Sequence, residues 1–225
     1  MEYYDAAAST ISQPKQLDNQ SFYSQVIGWT AAAFASLAVG SAVLGPVIPQ
    51  SMLMPLYFVA LGALIIAGFT KKSSNPVFSG TFAIAIPAIL GAILYPTLDY
   101  YFSTGQGDIV ISAAVGAVAI FGLMGAWGWV SKKDISGWLP KMFFILIGLI
   151  VVSLLNVFVF QLTGLSFLIS VGVLALFSVY TFIDLQLVKN RGMGDKPASF
   201  YALNLFLDLY NMFIAILNIL GIMRN

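Results

Sequence analysis

Apolar residues run along this chain in blocks of about twenty, each long enough for a helix to cross a hydrocarbon layer about 30 Å thick. Seven blocks predict seven transmembrane helices: Phe22–Ile48, Met52–Thr70, Pro76–Pro96, Asp108–Val130, Trp138–Phe160, Leu165–Leu187 and Ala198–Met223. The linkers are short and carry breakers and charges: Gly45-Pro46, Lys71-Lys72-Ser73-Ser74, Ser103-Thr104-Gly105-Gln106-Gly107, Lys132-Lys133-Asp134, Thr163-Gly164, and Asn190 to Lys196. No soluble domain fits between the blocks. Residues 1–21 read as a flexible, polar tail without the signature of a signal peptide, and residues 22–225 as one membrane domain.

Composition agrees with the pattern. Of 225 residues, 60% are hydrophobic and 8% charged, whereas soluble domains hold about 45–50% apolar and about 25% charged residues. A net charge of +1 offers nothing to nucleic acid. Cys and His are absent, which removes disulfides, thiol nucleophiles, thiolate or imidazole metal sites and a histidine base. The chain is expected not to be an enzyme and to need no cofactor.

Lys and Arg concentrate on the cytoplasmic side of membrane proteins. Lys15, Lys71, Lys72, Lys132, Lys133, Lys141, Lys189, Arg191 and Lys196 fall in the N-terminal tail, the even-numbered linkers or their flanks; Arg224 alone falls on the other side. The split predicts a cytoplasmic N-terminus, an outside C-terminus and an odd number of spans. Within the spans, Ser36 and Gly40, and Gly122 and Ala126, are small residues spaced for close helix approach. Pro87, in the middle of the third span, removes a backbone donor and predicts a bend.

Nine acidic residues are present, and Glu2, Asp5, Asp18, Asp99, Asp108, Asp134 and Asp195 fall in tails, linkers or span ends. Asp184 and Asp208 do not. An ionised side chain in hydrocarbon costs from about 2.5 kcal/mol to well over 10, so such acids face a cavity or a partner and mark ion or proton paths. Asp184 stands five residues before Lys189 and Asp208 ten residues into the last span, depths of roughly 7–8 Å and roughly 15 Å at 1.5 Å per residue. Tilt and side-chain reach allow the two to meet.

The last span carries a polar stripe. Tyr201, Asn204, Asp208, Asn211 and Asn218 follow helical spacing and fall on one face. In lipid that face must meet protein or water, which predicts a central helix. Tyr180, Thr181 and Asp184 form a shorter cluster on the sixth span, placed to hydrogen-bond a carboxylate, whereas Asn156 reads as packing. Two close carboxylates in a low dielectric cannot both ionise cheaply, so the pair shares a proton and titrates as a unit. Separated, it offers hard oxygen ligands to a cation. Calcium takes six to eight oxygens, and Asn204, Asn211 and water would have to complete so sparse a site. A weak site suits permeation better than storage.

Phe182-Ile183-Asp184-Leu185-Gln186 and the run from Tyr201 to Phe213, with its Leu-Asp-x-x-Asn-x-Phe core, resemble the transmembrane Bax inhibitor motif family, the Bax inhibitor-1-like proteins. The resemblance is strongest over the last sixty residues or so. It implies a seven-helix bundle around the last helix, and a pH-dependent calcium leak in which Asp184 and Asp208 form the paired-acid sensor. Calcium ions, protons and the bilayer are the implied partners, and a bacterial plasma membrane the expected location. Such family members latch the pair with an arginine at the cytoplasmic end of the second helix. Here that place holds Lys71-Lys72. Lys71 can pair with Asp184 as a point charge without a guanidinium fork, or both lysines serve topology alone.

Two other classes compete. Gly192-Met193-Gly194-Asp195 matches the GxGD string of intramembrane aspartyl proteases, but it lies in a polar linker, and Pro197-Ala198 is followed by Ser199 rather than leucine. A non-conducting membrane scaffold fits the composition and leaves the paired acids unexplained.

Overall fold

The computed structural model describes residues 19–69, 74–190 and 196–224. Among them the secondary structure is entirely helical, as expected for backbone that must satisfy its own hydrogen bonds in lipid. Seven α-helices follow one another: α1 (Asn19–Val39), α2 (Gln50–Phe69), α3 (Pro76–Ser103), α4 (Gly107–Val130), α5 (Leu139–Leu155), α6 (Thr163–Asn190) and α7 (Ala198–Arg224). Six of these elements are long and apolar enough to cross a membrane, while α2 contributes a shorter apolar stretch, Gln50–Ile65. Large apolar side chains such as Val115, Leu123, Phe144 and Val157 point outward. That is the reverse of a water-soluble surface.

Local chemistry sets several boundaries. Asn75 caps α3, its side chain accepting from the backbone N–H groups of Val77 at 2.9 Å and Phe78 at 3.3 Å, with Pro76 in the first turn. At the other end, Gly105 takes a left-handed φ of 73°. Its N–H donates to the Phe102 carbonyl at 3.2 Å and that of Gln106 to Tyr101 at 2.7 Å, the paired bonds of a Schellman stop. Where Pro96 was expected to close the third span, α3 runs through Pro87 and Pro96 to Ser103. Each proline removes one donor, but the apolar run continues and the stop comes where glycine permits a reversal. Gly45-Pro46 likewise does not interrupt the first span: α1 continues through a π turn, Gly40–Leu44, and a 3-10 turn, Gly45–Val47. Thr163-Gly164, expected as a linker, opens α6, and the reversal sits at Gln161 with φ 52°.

The small-residue expectation holds for α1 and fails for α4. Ser36 donates to the Ile84 carbonyl at 2.7 Å, and a Cβ on Gly40 would strike the Ala88 carbonyl one turn further on. Gly91 makes the reciprocal approach to the Leu37 carbonyl. On α4, Gly122 and Ala126 are exposed, and Gly128 instead abuts the Phe182 carbonyl of α6. The packing face is displaced around that helix.

The last helix occupies the middle of the bundle. α7 packs against α1, α3, α4 and α6, whereas α2 packs on α3 and α5 on α6 at the periphery. Its buried residues join core clusters with each central neighbour: Tyr201 with Phe22 of α1, Phe206 with Ile86 of α3, Leu217 with Ile109 of α4, and Met212 with Phe177 of α6. Polar brackets reinforce it. Ser199 donates to Ser79 at 2.9 Å across α7 and α3, and the Gln186 amide donates to the Lys133 carbonyl at 2.8 Å, holding the α4–α5 linker on α6. The Lys189 ammonium donates to the Trp129 carbonyl. At the opposite end Arg224 pairs with Asp108.

Candidate functional site: an acid pair in a lengthwise crevice

The polar stripe on α7 survives intact in three dimensions. Tyr201, Asn204, Asp208, Asn211 and Asn218 all line one cavity of about 720 Å³. From Phe200 to Asn218, two of its lining residues, α7 advances eighteen positions, about 27 Å at 1.5 Å per residue. That is close to the thickness of a hydrocarbon core. The remaining wall is largely apolar, with side chains from α2 (Leu61, Leu64), α3 (Phe82, Leu90), α5 (Phe143, Leu146) and α6 (Val173, Phe177). Of these, α2 and α5 pack chiefly on α3 and α6, and each also reaches α7: Ala60 shares a core cluster with Leu203 and Phe206, and Leu146 packs against the cluster that holds Met212.

Asp184 and Asp208 both line this crevice, and both are buried, at 6% and 3% exposure. The α6–α7 contact is the most extensive between two helices, which brings Asp208 within electrostatic reach of Asp184. Tyr180, one turn before Asp184, also lines the crevice and lies within the field of both carboxylates. Thr181 takes a different part. It is fully buried and backs Asp208, with its hydroxyl in hydrogen-bonding reach of that carboxyl group.

Among the described residues neither acid forms an ion pair, and Asp208 Oδ2 lacks a hydrogen-bond partner. Burial of such an oxygen is costly unless the group holds a proton or meets a cation. No cluster of three or more metal-ligating acids exists among the described residues. Two carboxylates leave calcium dependent on neutral oxygens, for which Asn204, Asn211 and Tyr180 are placed along the same wall. The Asn211 amide nitrogen donates to the Leu207 carbonyl at 2.7 Å, and its amide oxygen is an acceptor only. Lys71, the candidate latch, lies outside the described residues, as does the Gly192–Asp195 string.

The sequence reading did not anticipate a second pocket. A recess of about 410 Å³ is lined by Asn156, Gln161, Thr163, Ser166, Asn218 and Ile222. Asn156 is structural, as expected: it donates to the Leu162 carbonyl at 3.2 Å and Ser166 Oγ at 2.7 Å, and accepts from Leu162 N–H at 3.0 Å. Asn218 borders both cavities. Its place at the far end of the stripe was visible in the spacing; that it lines both cavities was not.

The family model for the Inhibitor of apoptosis-promoting Bax1 matches residues 19–225. An uncharacterized membrane protein of Streptococcus pyogenes serotype M3 is 34% identical over 172 residues, spanning 74% of this chain and 69% of that protein. An uncharacterized protein of Deinococcus radiodurans is 29% identical over 223 residues, covering 93% of this chain and 94% of its own length. An uncharacterized membrane protein of Vibrio cholerae is 28% identical over 219 residues, covering 96% and 93%. With a match from the first described helix to the C-terminal residue, this chain belongs to the Bax inhibitor-1-like family of membrane proteins.

Proposed function

We propose that this protein is a pH-sensitive calcium leak, in which calcium crosses the bilayer along the face of α7 and the shared proton of Asp184 and Asp208 governs its passage. The observation that carries this reading is the placement of both buried acids on the wall of a crevice that runs about the length of a hydrocarbon core. Asn218 lines both that crevice and the second, polar recess. In the protonated arrangement the acids bond across α6 and α7 and present little charge. Loss of the shared proton leaves mutual repulsion, which a divalent cation relieves. Passage needs binding weak enough to permit release, and two carboxylates supplemented by amides meet that need.

In this account all seven helices span a bacterial plasma membrane, with the N-terminus in the cytoplasm and the C-terminus outside, following the distribution of Lys and Arg. The protein acts without a cofactor and is not an enzyme. Lys71, if it pairs with Asp184, holds the closed arrangement as a point charge. The test is calcium flux into proteoliposomes across about pH 5–8, the range expected for a shared carboxyl proton. Flux that is absent at every pH would favour a membrane scaffold.

A further inference from the structure

The crevice is more apolar than an ion path alone requires. Its sides include α2 and α5, whose most extensive contacts are with α3 and α6. Leu61, Leu64, Phe143 and Leu146 line it opposite the acids. At about 720 Å³ it lies within the roughly 300–1,000 Å³ of cavities that enclose small organic molecules, which are apolar with a few convergent polar groups. Here the polar groups are two carboxylates, and among the described residues Asp208 Oδ2 has no donor.

We propose that this crevice binds amphipathic amines, a single-chain molecule whose protonated amino group meets Asp208 and Asp184 while its hydrocarbon body lies along α2 and α5. Charge complementarity selects this occupant. A phospholipid acyl chain would match the apolar wall but bring no donor to the orphaned oxygen, and an anionic headgroup would be repelled by it. An ammonium N–H supplies a charge-assisted hydrogen bond, about twice the strength of a neutral one. A molecule dissolved in the bilayer would enter past α2 and α5, the two peripheral helices that line the crevice, and reach the acids without crossing water. The inference rests on the acids lining the crevice and not on calcium moving through it.

The experiment is equilibrium binding of isotope-labelled dodecylamine to the full chain in zwitterionic nanodiscs, with a calcium chelator present and empty nanodiscs as background. One saturable site per protein is expected, with uncharged dodecanol competing at least about tenfold more weakly, since a charge-assisted hydrogen bond contributes on this scale. Asp208→Asn should weaken binding by a similar factor. Leu146→Trp, which fills the apolar wall and leaves both acids in place, should weaken it too; thermal unfolding of each variant checks that the fold is retained. Equal binding of dodecylamine and dodecanol to the wild-type protein, or no saturable site, would overturn the proposal. Saturable amine binding in a protein that passes no calcium would remove the leak and keep this site, whereas calcium flux without amine binding would do the opposite.

Discussion

Thr181 stands behind Asp208, and its single hydroxyl proton is directed to the Phe177 carbonyl at 3.0 Å. A hydroxyl has one proton and two lone pairs. While it donates within its own helix it can only accept from Asp208, which requires that carboxyl group to carry a proton. When Asp208 ionises, the same hydroxyl can turn and donate to it. Thr181 is therefore placed to follow the protonation state of the pair.

Removing that hydroxyl takes a donor from the ionised state. A hydrogen bond to a charged group contributes about 1.5–3 kcal/mol, and about 1.4 kcal/mol corresponds to one pH unit. Thr181→Val should move the midpoint of calcium flux upward by about one pH unit, while Thr181→Ser should leave it near the wild-type value. Flux measured against pH in proteoliposomes checks both.

Asn218 should control how much passes, not when. It borders both cavities and lies ten positions from Asp208, about 15 Å along α7. Asn218→Leu should lower calcium flux by about tenfold, the effect of removing a polar contact worth about 1.4 kcal/mol in an apolar passage, without moving the pH midpoint. A shifted midpoint would place Asn218 in the sensing unit.

The close approach of α1 and α3 predicts a contrast in stability. A side chain at Gly91 would meet the Leu37 backbone, whereas the space around Gly122 is open. Gly91→Val should lower stability by about 1–3 kcal/mol or prevent folding, through overpacking against backbone that cannot yield. Gly122→Val should stay within about 1 kcal/mol, since only the intrinsic preference of the helix changes. Thermal unfolding in detergent distinguishes them.

Orientation is tested by accessibility. Labels introduced between residues 191 and 195 should react from the cytoplasm, and labels after Arg224 from outside, following the nine-to-one division of cations. A cytoplasmic C-terminus would contradict the seven-span arrangement.

Much of this site was legible in the sequence, because lipid leaves a polar residue few options. The spacing of Tyr201, Asn204, Asp208, Asn211 and Asn218 placed them on one face, and that face lines the crevice. The same logic singled out Asp184 on α6, which lines the same crevice as Asp208. What the sequence did not reveal depends on rotation and on neighbours. Thr181 shares a cluster with Tyr180 and Asp184 in sequence, yet turns behind the carboxylate. Gly122 and Ala126 have the spacing of a packing motif but face outward, because the approach of α4 to α6 is made at Gly128. The end of α3 lies beyond Pro96 because a proline costs one hydrogen bond, whereas Gly105 permits the chain to reverse. The apolar side of the crevice depends on where α2 and α5 attach, a relation between distant segments that no local pattern encodes.

The central claim is that one coupled acid pair sets the pH dependence of calcium passage. Its most direct test is calcium flux across about pH 5–8 in the wild type, in Asp184→Asn, in Asp208→Asn and in the double variant. Asp208→Asn should reduce flux by removing charge from the path, and Asp184→Asn should flatten the pH dependence by abolishing the shared proton. The two effects should not add, as befits groups that titrate as a unit. No titration of flux in that window is expected for the double variant; a double variant that leaks calcium with the wild-type pH profile would rule out the acid pair as the gate.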